Sequence, residues 1–275
     1  MYSVCKKGAE NMKLDEIKAT VTGADYDFLR TDEHLGKNII LLGLGGSHAY
    51  GTEIETSDLD VRGCAVNSRE EILCGEDFEQ VTDVPTDTTI YSFMKLVRLL
   101  TNCNPNTIEI LGLKREHYIY LSEIGREMLD NSDMFLSKMA VKSFGGYATA
   151  QFHRLENKSE GIALGKRNKN ALLHNKIGKH MMHLIRLYLM CLDILEKGEI
   201  ITYRETEHDL LMSIRNGAFL DGESQPTADF FALVNDYKKR IEYAEKNTLL
   251  PEKPDYKRIK DFIISVNEKV VAGKI

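Results

Sequence analysis

Hydrophobic and polar positions follow different patterns in the two halves of the chain. In the first 115 residues or so, short apolar runs alternate with short helical patterns. The apolar run 39–42 and the β-branched and aromatic run 87–91 predict strands. The apolar positions within 93–100 are spaced as in a helix. This part of the chain is therefore predicted to mix α and β structure.

Two helix starts carry local signals. Ser68 is followed three residues later by Glu71, which is the spacing of a capping box before a short helix. Pro105 follows Asn104, and proline suits the first turn of a helix because its missing N–H has no intrahelical partner there. Both positions predict where helices begin.

The second half contains almost no strand pattern. It is instead made of long amphipathic segments separated by a Gly- and Lys-rich loop at 157–170 and a proline-rich breaker at 250–254; these segments are 137–155, 171–197, 206–216, 226–246 and 255–271. We therefore expect an α+β protein. A small mixed β-sheet lobe with helices, residues 1–115, is followed by an α-helical C-terminal lobe, residues 116–275.

Composition narrows the classes of function. A net charge of -6 and a pI near 5.8 argue against a protein that coats nucleic acid through bulk charge, so polynucleotide contacts should be local. Five scattered cysteines without a C-x-x-C pair predict reduced, mostly buried thiols. There is no basic-then-apolar leader and no apolar run of membrane length, so we expect a cytoplasmic protein without membrane contact. The oligomeric state stays open.

Residues 43–63, GLGGSHAYGTEIETSDLDVRG, carry the strongest candidate chemistry. Gly46 and Ser47 form a small turn whose backbone N–H groups can approach phosphate oxygens. If 57–61 is a strand, Asp58 and Asp60 lie on one face about 7 Å apart. Two such carboxylates can share a pair of Mg²⁺ or Mn²⁺ ions against the phosphates of a nucleoside triphosphate (NTP).

A third carboxylate would complete such a metal site. Asp87 is the best candidate, because it begins an apparent strand after a reversal at 84–86 and would then lie beside the aspartate strand. Asp83, just before that reversal, is the substitute if the strand begins elsewhere. For either residue, a role as a cap or turn residue is the alternative.

Two segments of the chain resemble the signature of a known family. The segments GSHAYGT at 46–52 and SDLDVRG at 57–63 resemble the G-S…D-x-D signature of the DNA polymerase β superfamily of nucleotidyltransferases. More narrowly they look like its RNA repair pathway (RlaP-like) branch, with which segments 91–96, 104–111, 179–187 and 211–217 agree. The resemblance implies a five-stranded or similar mixed sheet and a triphosphate on Gly46 and Ser47. It also implies Mg²⁺ on Asp58 and Asp60, with Asp87 as the third ligand.

The helical segment 176–186 gathers basic residues on one side. Lys176, Lys179, His180, His183 and Arg186 fall within an arc of roughly 120°, opposite an apolar face. We expect this helix to form the far wall of a cleft, where Lys179, His183 and Arg186 contact phosphates of the nucleotide or of the acceptor. A solvated basic face is the alternative.

These parts predict a metal-dependent transfer of a nucleoside monophosphate (NMP) from an NTP. An acceptor hydroxyl loses its proton toward Asp87 and attacks the α-phosphorus, and pyrophosphate leaves. Ser47 and the turn hold the terminal phosphates, while Arg62 braces the carboxylates or reaches a phosphate. The basic helix favours an RNA end as acceptor, with a protein hydroxyl or a small molecule as alternatives. An antitoxin-like or regulatory nucleotide-binding protein with little catalysis and a helical interaction module also remain open.

Overall fold

The computed structural model describes residues 14–55, 57–159, 177–222 and 225–274. Cys5, most of the predicted loop 157–170 and the start of the predicted helix 171–197 lie outside these residues. The described residues form an α+β fold with helices at the C-terminal end, as the sequence predicts.

Five strands build one mixed sheet. They are β1 (Ile39–Leu44), β2 (Val61–Ala65), β3 (Gln80–Asp83), β4 (Thr88–Ser92) and β5 (Tyr118–Leu121). Their order across the sheet is β3-β4-β2-β1-β5. Strands β2 and β4 run parallel, and the other neighbouring pairs are antiparallel. The predicted mixed sheet is thereby confirmed.

Strand β1 lies inside the sheet between β2 and β5, and each of its residues is buried. This burial explains why its sequence is a continuous apolar run rather than an alternating one. The helical segments that precede it pack on the same core, in which Val21, Tyr26 and Leu29 join Leu42 and Val61.

Short helices surround the sheet in the first half of the chain. They are α1 (14–21), α2 (Phe28–Thr31), α3 (Gly46–Tyr50), α4 (Arg69–Cys74), α5 (Phe93–Thr101), α6 (Pro105–Ile108) and α7 (Glu123–Asp130), with 3₁₀ turns at Ala24–Tyr26, Gly36–Asn38, Glu109–Gly112, Arg115–His117 and Ser132–Phe135. The capping box is confirmed, because the Glu71 N–H donates to Ser68 Oγ at 3.2 Å and the Ser68 N–H donates to Glu71 Oε2 at 2.7 Å. Pro105 begins α6.

One strand prediction is wrong in its position, and one strand was not predicted. The predicted strand 57–61 is absent, because β2 begins only at Val61 and residues 57–60 are not part of the sheet. The backbone of Asp60 instead bonds the preceding turn, where its carbonyl accepts the Gly45 N–H at 2.8 Å. Strand β5 was missed, although the aromatic and β-branched residues of Tyr118–Leu121 favour a strand; it pairs antiparallel with β1.

Long helices make up the rest of the described chain: α8 (Met139–Ser159), α9 (Ile177–Lys197), α10 (His208–Arg215), α11 (Ala228–Asn247) and α12 (Tyr256–Val271). Helix α9 is buried over most of its length and packs against α8, α10 and α11. These bounds confirm the predicted helical segments to within a few residues, apart from the undescribed stretch.

The chain forms two compact units. One comprises Met1–Arg98, Leu113–Ser132 and Lys257–Ile275, and the other comprises Leu99–Gly112 and Asp133–Tyr256. Each unit is therefore discontinuous in sequence. A boundary between independently folding domains near residue 115 stays a prediction.

Three of the four described cysteines are buried, and all four are free thiols. Burial raises the pKa of the Cys191 thiol to about 12, which keeps it protonated. Across the parts of the chain that the structure describes, no helix combines the length and apolar character that a membrane crossing needs.

Candidate active site

The turn after β1 is fixed to the segment that precedes β2. Besides the bond from the Gly45 N–H to the Asp60 carbonyl, the Ala49 N–H donates to the Gly45 carbonyl at 3.2 Å and closes the first turn of α3. Gly46 begins this helix in the left-handed region with φ 54°, and Ser47 is buried at 8% exposure. Because the first N–H groups of a helix have no intrahelical partner, the turn offers donors to an anion.

Glycines at this turn let Asp60 come close. A Cβ on Gly46 would lie 1.7 Å from Asp60 Oδ2, a distance at which no atom fits. A Cβ on Gly45 would lie 3.2 Å from Asp60 Cβ and 3.0 Å from Arg62 Cγ. The Asp60 carboxylate therefore packs directly on the backbone of the predicted phosphate turn.

Parallel pairing of β2 with β4 brings Asp87 beside Asp60. Val61 is the register partner of Thr88, so the residues just before them align at the same end of the two strands. The Val61 N–H donates to the Asp87 carbonyl at 3.3 Å. Asp87 has φ 44°, a left-handed conformation that aspartate tolerates better than most residues. It lies in the turn before β4 rather than in the strand.

Arg62 joins the two carboxylates. Its Nη2 lies 3.0 Å from Asp87 Oδ1 and 3.5 Å from Asp60 Oδ1. Its Nη1 donates to the backbone carbonyls of Val61, at 3.0 Å, and of Asp87. The geometry thus brings Gly46, Asp60, Arg62 and Asp87 together in one compact unit.

The other two candidate aspartates differ in their surroundings. Asp58 belongs to the same segment as Asp60 and has an exposed side chain. The Asp83 carboxylate accepts hydrogen bonds from Thr86, from its N–H at 3.0 Å and from its Oγ1 at 2.7 Å. Asp83 therefore acts as a turn residue, which favours Asp87 over Asp83 as the third carboxylate.

Lys179, His183 and Arg186 lie on α9, in the second compact unit. Exposure falls along this face, from exposed Lys179 through half-buried His183 to Arg186 at 8%. Arg186 Nη2 is 3.4 Å from His183 Nδ1. The predicted basic face is thus exposed only at its N-terminal end, and Lys176 lies outside the described residues.

Sequence reasoning missed His117, which lies near the turn in the first compact unit. It is 7% exposed, and burial lowers its pKa below the ordinary 6.5. The negative charges of Glu116 and Glu53 oppose this shift, whereas Lys114 and His48 add to it. His48 belongs to α3. No local signal could have found His117, because its position depends on the pairing of β5 with β1.

Within the described ranges, no group of three or more His, Cys, Asp or Glu side chains is arranged to hold a metal ion. The donor chemistry nevertheless suits Mg²⁺, which binds through one or two carboxylates together with substrate phosphates. The position between Asp60 and Asp87 also accepts positive charge, since the Arg62 guanidinium contacts both. The residues present therefore fit a divalent cation that is shared with a phosphate ligand.

Comparison with known proteins identifies the family of this chain. The sequence profile of the RNA repair pathway DNA polymerase beta family (RlaP) matches residues 10–265, nearly the whole chain. Searches of curated proteins and of solved structures gave no match. The extent of the family match shows that this chain belongs to the RNA repair pathway DNA polymerase beta family.

Proposed function

We propose that this protein is a metal-dependent nucleotidyltransferase that moves an NMP from an NTP to an acceptor hydroxyl, with an RNA end as the favoured acceptor and pyrophosphate as the second product. One observation carries the proposal. Asp60 and Asp87 lie together at the ends of parallel strands, with Asp60 packed on the Gly46 turn. Membership of a polymerase beta family supports the same class of reaction.

Each residue has a distinct task in this proposal. The backbone of Gly46 and the Ser47 side chain seat the terminal phosphates of the NTP. Asp58, Asp60 and Asp87 would hold two Mg²⁺ or Mn²⁺ ions, which would neutralise charge on the entering and leaving oxygens. The Asp87 carboxylate, 57% exposed, accepts the proton of the acceptor hydroxyl.

The basic residues of α9 are proposed to bind phosphates. Lys179 is exposed and can contact a polynucleotide backbone directly. Arg186 is buried beside His183, so it serves only a phosphate that enters the interior of its unit. Because Lys179 is exposed, reversing its charge should weaken binding of the acceptor while leaving the stability of the fold nearly unchanged.

A transfer assay tests the proposal. The purified protein is incubated with each radiolabelled NTP, Mg²⁺ or Mn²⁺, and either mixed cellular RNA or mixed protein. Label on RNA together with released pyrophosphate is expected. Label on protein would assign the alternative acceptor class, whereas nucleotide binding without pyrophosphate would favour the regulatory, antitoxin-like alternative.

Substitutions assign the activity to this site. Asp60→Asn and Asp87→Asn should abolish transfer, and Asp58→Asn should do so with little change in stability, because its side chain is exposed. Asp83→Asn is the matched control, since its carboxylate bonds Thr86 in the turn and it should retain transfer. Unchanged turnover in both Asp58→Asn and Asp60→Asn would remove the catalytic assignment.

A further inference from the structure

Arg62 places a positive charge against both carboxylates of the candidate site. Its Nη2 is shared between Asp87 Oδ1 at 3.0 Å and Asp60 Oδ1 at 3.5 Å. Its Nη1 bonds the backbone carbonyls of Val61 and Asp87. The planar guanidinium therefore engages the Asp87 turn through both terminal nitrogens, which a lysine ammonium could not reproduce.

The local backbone places the Arg62 guanidinium beside the two carboxylates. Asp60 directly precedes β2 and Arg62 is the second residue of this strand, and a Cβ on Gly45 would lie 3.2 Å from the Asp60 Cβ. The Arg62 stem passes so close to Gly45 that a Cβ there would lie 3.0 Å from Arg62 Cγ. The guanidinium is thus positioned by the same turn that is proposed to seat the triphosphate.

The pair formed by Asp60 and Arg62 is sheltered from solvent. Their side chains are 18% and 21% exposed, so salt screens this pair less than it would an ion pair at the open surface. A divalent cation that bound Asp60 and Asp87 together would have to lie next to the guanidinium. Because like charges repel at short range, Arg62 competes with such a cation.

We propose that Arg62 is a built-in counter-ion that holds Asp60 and Asp87 when no nucleotide is bound, and that a triphosphate draws the guanidinium onto its oxygens and frees the carboxylates for divalent cations. This inference rests on the proposed function of the site. It makes Arg62 a positioning residue that couples triphosphate binding to metal binding.

The chemistry of arginine supports this exchange. A guanidinium binds phosphate oxygens through paired hydrogen bonds as readily as it binds carboxylates. A phosphate on the Gly46 turn lies next to Gly45, on which the Arg62 stem packs. The expected consequence is an order of binding in which divalent cations alone bind weakly and bind well once a triphosphate is present.

Calorimetric titration with Mn²⁺ alone, in the absence of nucleotide, tests the competition. Arg62→Gln removes the charge while keeping part of the stem and a hydrogen-bond donor, and it should bind Mn²⁺ about tenfold more tightly than the unaltered protein. Arg62→Lys keeps the charge and should remain a weak binder. The same proteins titrated with inorganic tripolyphosphate should show the reverse effect, with weaker binding by Arg62→Gln.

Arg98→Gln is the matched control. Arg98 pairs with Glu79 at 3.0 Å in the same compact unit, so its loss changes the net charge equally at a different place. Its Mn²⁺ affinity should stay within about twofold of the unaltered protein. Thermal melting of each variant checks that it is folded.

The counter-ion proposal is overturned if Arg62→Gln binds Mn²⁺ no more tightly than Arg98→Gln, including the case in which neither binds. It is also overturned if Arg62→Lys tightens Mn²⁺ binding as much as Arg62→Gln does, because charge would then not be the cause. Neither titration requires turnover. A protein that transfers no nucleotide but shows the Arg62 effect would refute the proposed function and keep this inference.

Discussion

Both the backbone conformation and the close packing at position 46 require glycine. Its φ of 54° disfavours any side chain, and its missing Cβ leaves the space that the Asp60 carboxylate occupies. The sequence suggested that glycine here keeps the backbone bare for phosphate. The structure adds that glycine also lets Asp60, one of the three proposed metal ligands, approach the turn.

Gly46→Ala should destabilise the protein because the added Cβ forces Asp60 to move. The cost should be about 1–3 kcal/mol larger than that of the same substitution at a positive-φ glycine whose added Cβ meets no atom. Gly75→Ala is the control. Gly75 has φ 72° with nothing within 4 Å of its added Cβ, so it should cost only about 1–2 kcal/mol. Denaturant unfolding measures both, and equal costs would contradict the packing of Asp60 on Gly46.

His117 makes stability depend on pH. Burial lowers its pKa in the folded protein, so below about pH 6.5 the unfolded chain binds more protons and stability falls as pH falls. The contribution of neutral His117 to the free energy of unfolding is fully present above pH 6.5. It is lost as the pH falls through the lowered pKa of His117 in the folded protein. In His117→Gln, the difference between the unfolding free energies at pH 7.5 and pH 5.5 should be smaller. An identical difference in both proteins would contradict this assignment.

At the scale of elements, α9 contributes Asp193 to a buried ion pair with Arg204, which follows the helix in the chain. Asp193 and Arg204 are 8% and 2% exposed, and Arg204 Nη1 donates to Asp193 Oδ2. The other Asp193 oxygen bonds Lys197 at 2.8 Å, and the Lys197 side chain is 52% exposed. The hydrogen bond that Lys197 donates to Asp193 raises the pKa of Lys197.

Asp193→Ala should cost about 3–5 kcal/mol, because it leaves the Arg204 guanidinium buried without its partner. Lys197→Ala removes the exposed partner of the same carboxylate and should cost less than about 1 kcal/mol. Thermal and denaturant unfolding compare the two. A similar small cost for both variants would show that Arg204 gains water when its partner is lost.

Elements whose formation depends on neighbouring residues were predicted correctly from the sequence. The capping box at Ser68, proline at the start of α6 and the apolar run of β1 each depend on neighbouring residues, and each is confirmed. The start of β2 depends on pairing with distant strands, and sequence reasoning began it too early. Strand β5 carries a local signal in its aromatic and β-branched residues, which sequence reasoning overlooked.

In the candidate site, too, some features follow from the local sequence and others from tertiary pairing. Glycine, serine and aspartate at 45–60 identified the region from sequence, and the resemblance named the family that the profile match confirms. The parallel register of β2 with β4 and the bridging of two carboxylates by Arg62 arise from tertiary pairing. No local pattern specifies them.

At the scale of the whole molecule, the last helix belongs to the same compact unit as the sheet. On α12, Phe262 packs edge-on against Phe93 with ring centroids 5.8 Å apart, and Lys269 pairs with Glu127 at 2.5 Å. The sequence places this helix within residues 116–275, and whether those residues form a separate domain stays a prediction. Contacts between distant segments decide its placement, and helical periodicity does not report them.

Phe262→Ala should therefore destabilise the unit that contains the sheet. Phe262 is 7% exposed, and truncating a buried phenylalanine costs about 3–5 kcal/mol. Ile264→Ala is the control on the same helix, because Ile264 is 44% exposed and should cost under about 1 kcal/mol. Equal melting temperatures for the two variants would contradict the role of α12 in this unit.

The central claim is that carboxylates of one short segment bind divalent cations against a triphosphate that rests on the adjoining glycine turn. A crystal structure with Mg²⁺ and a non-hydrolysable NTP analogue tests it most directly. We expect phosphate oxygens at Gly46 and Ser47, and Mg²⁺ about 2.1 Å from oxygens of Asp58 and Asp60. A structure in which the nucleotide binds elsewhere, or in which no cation contacts these aspartates, would contradict the claim.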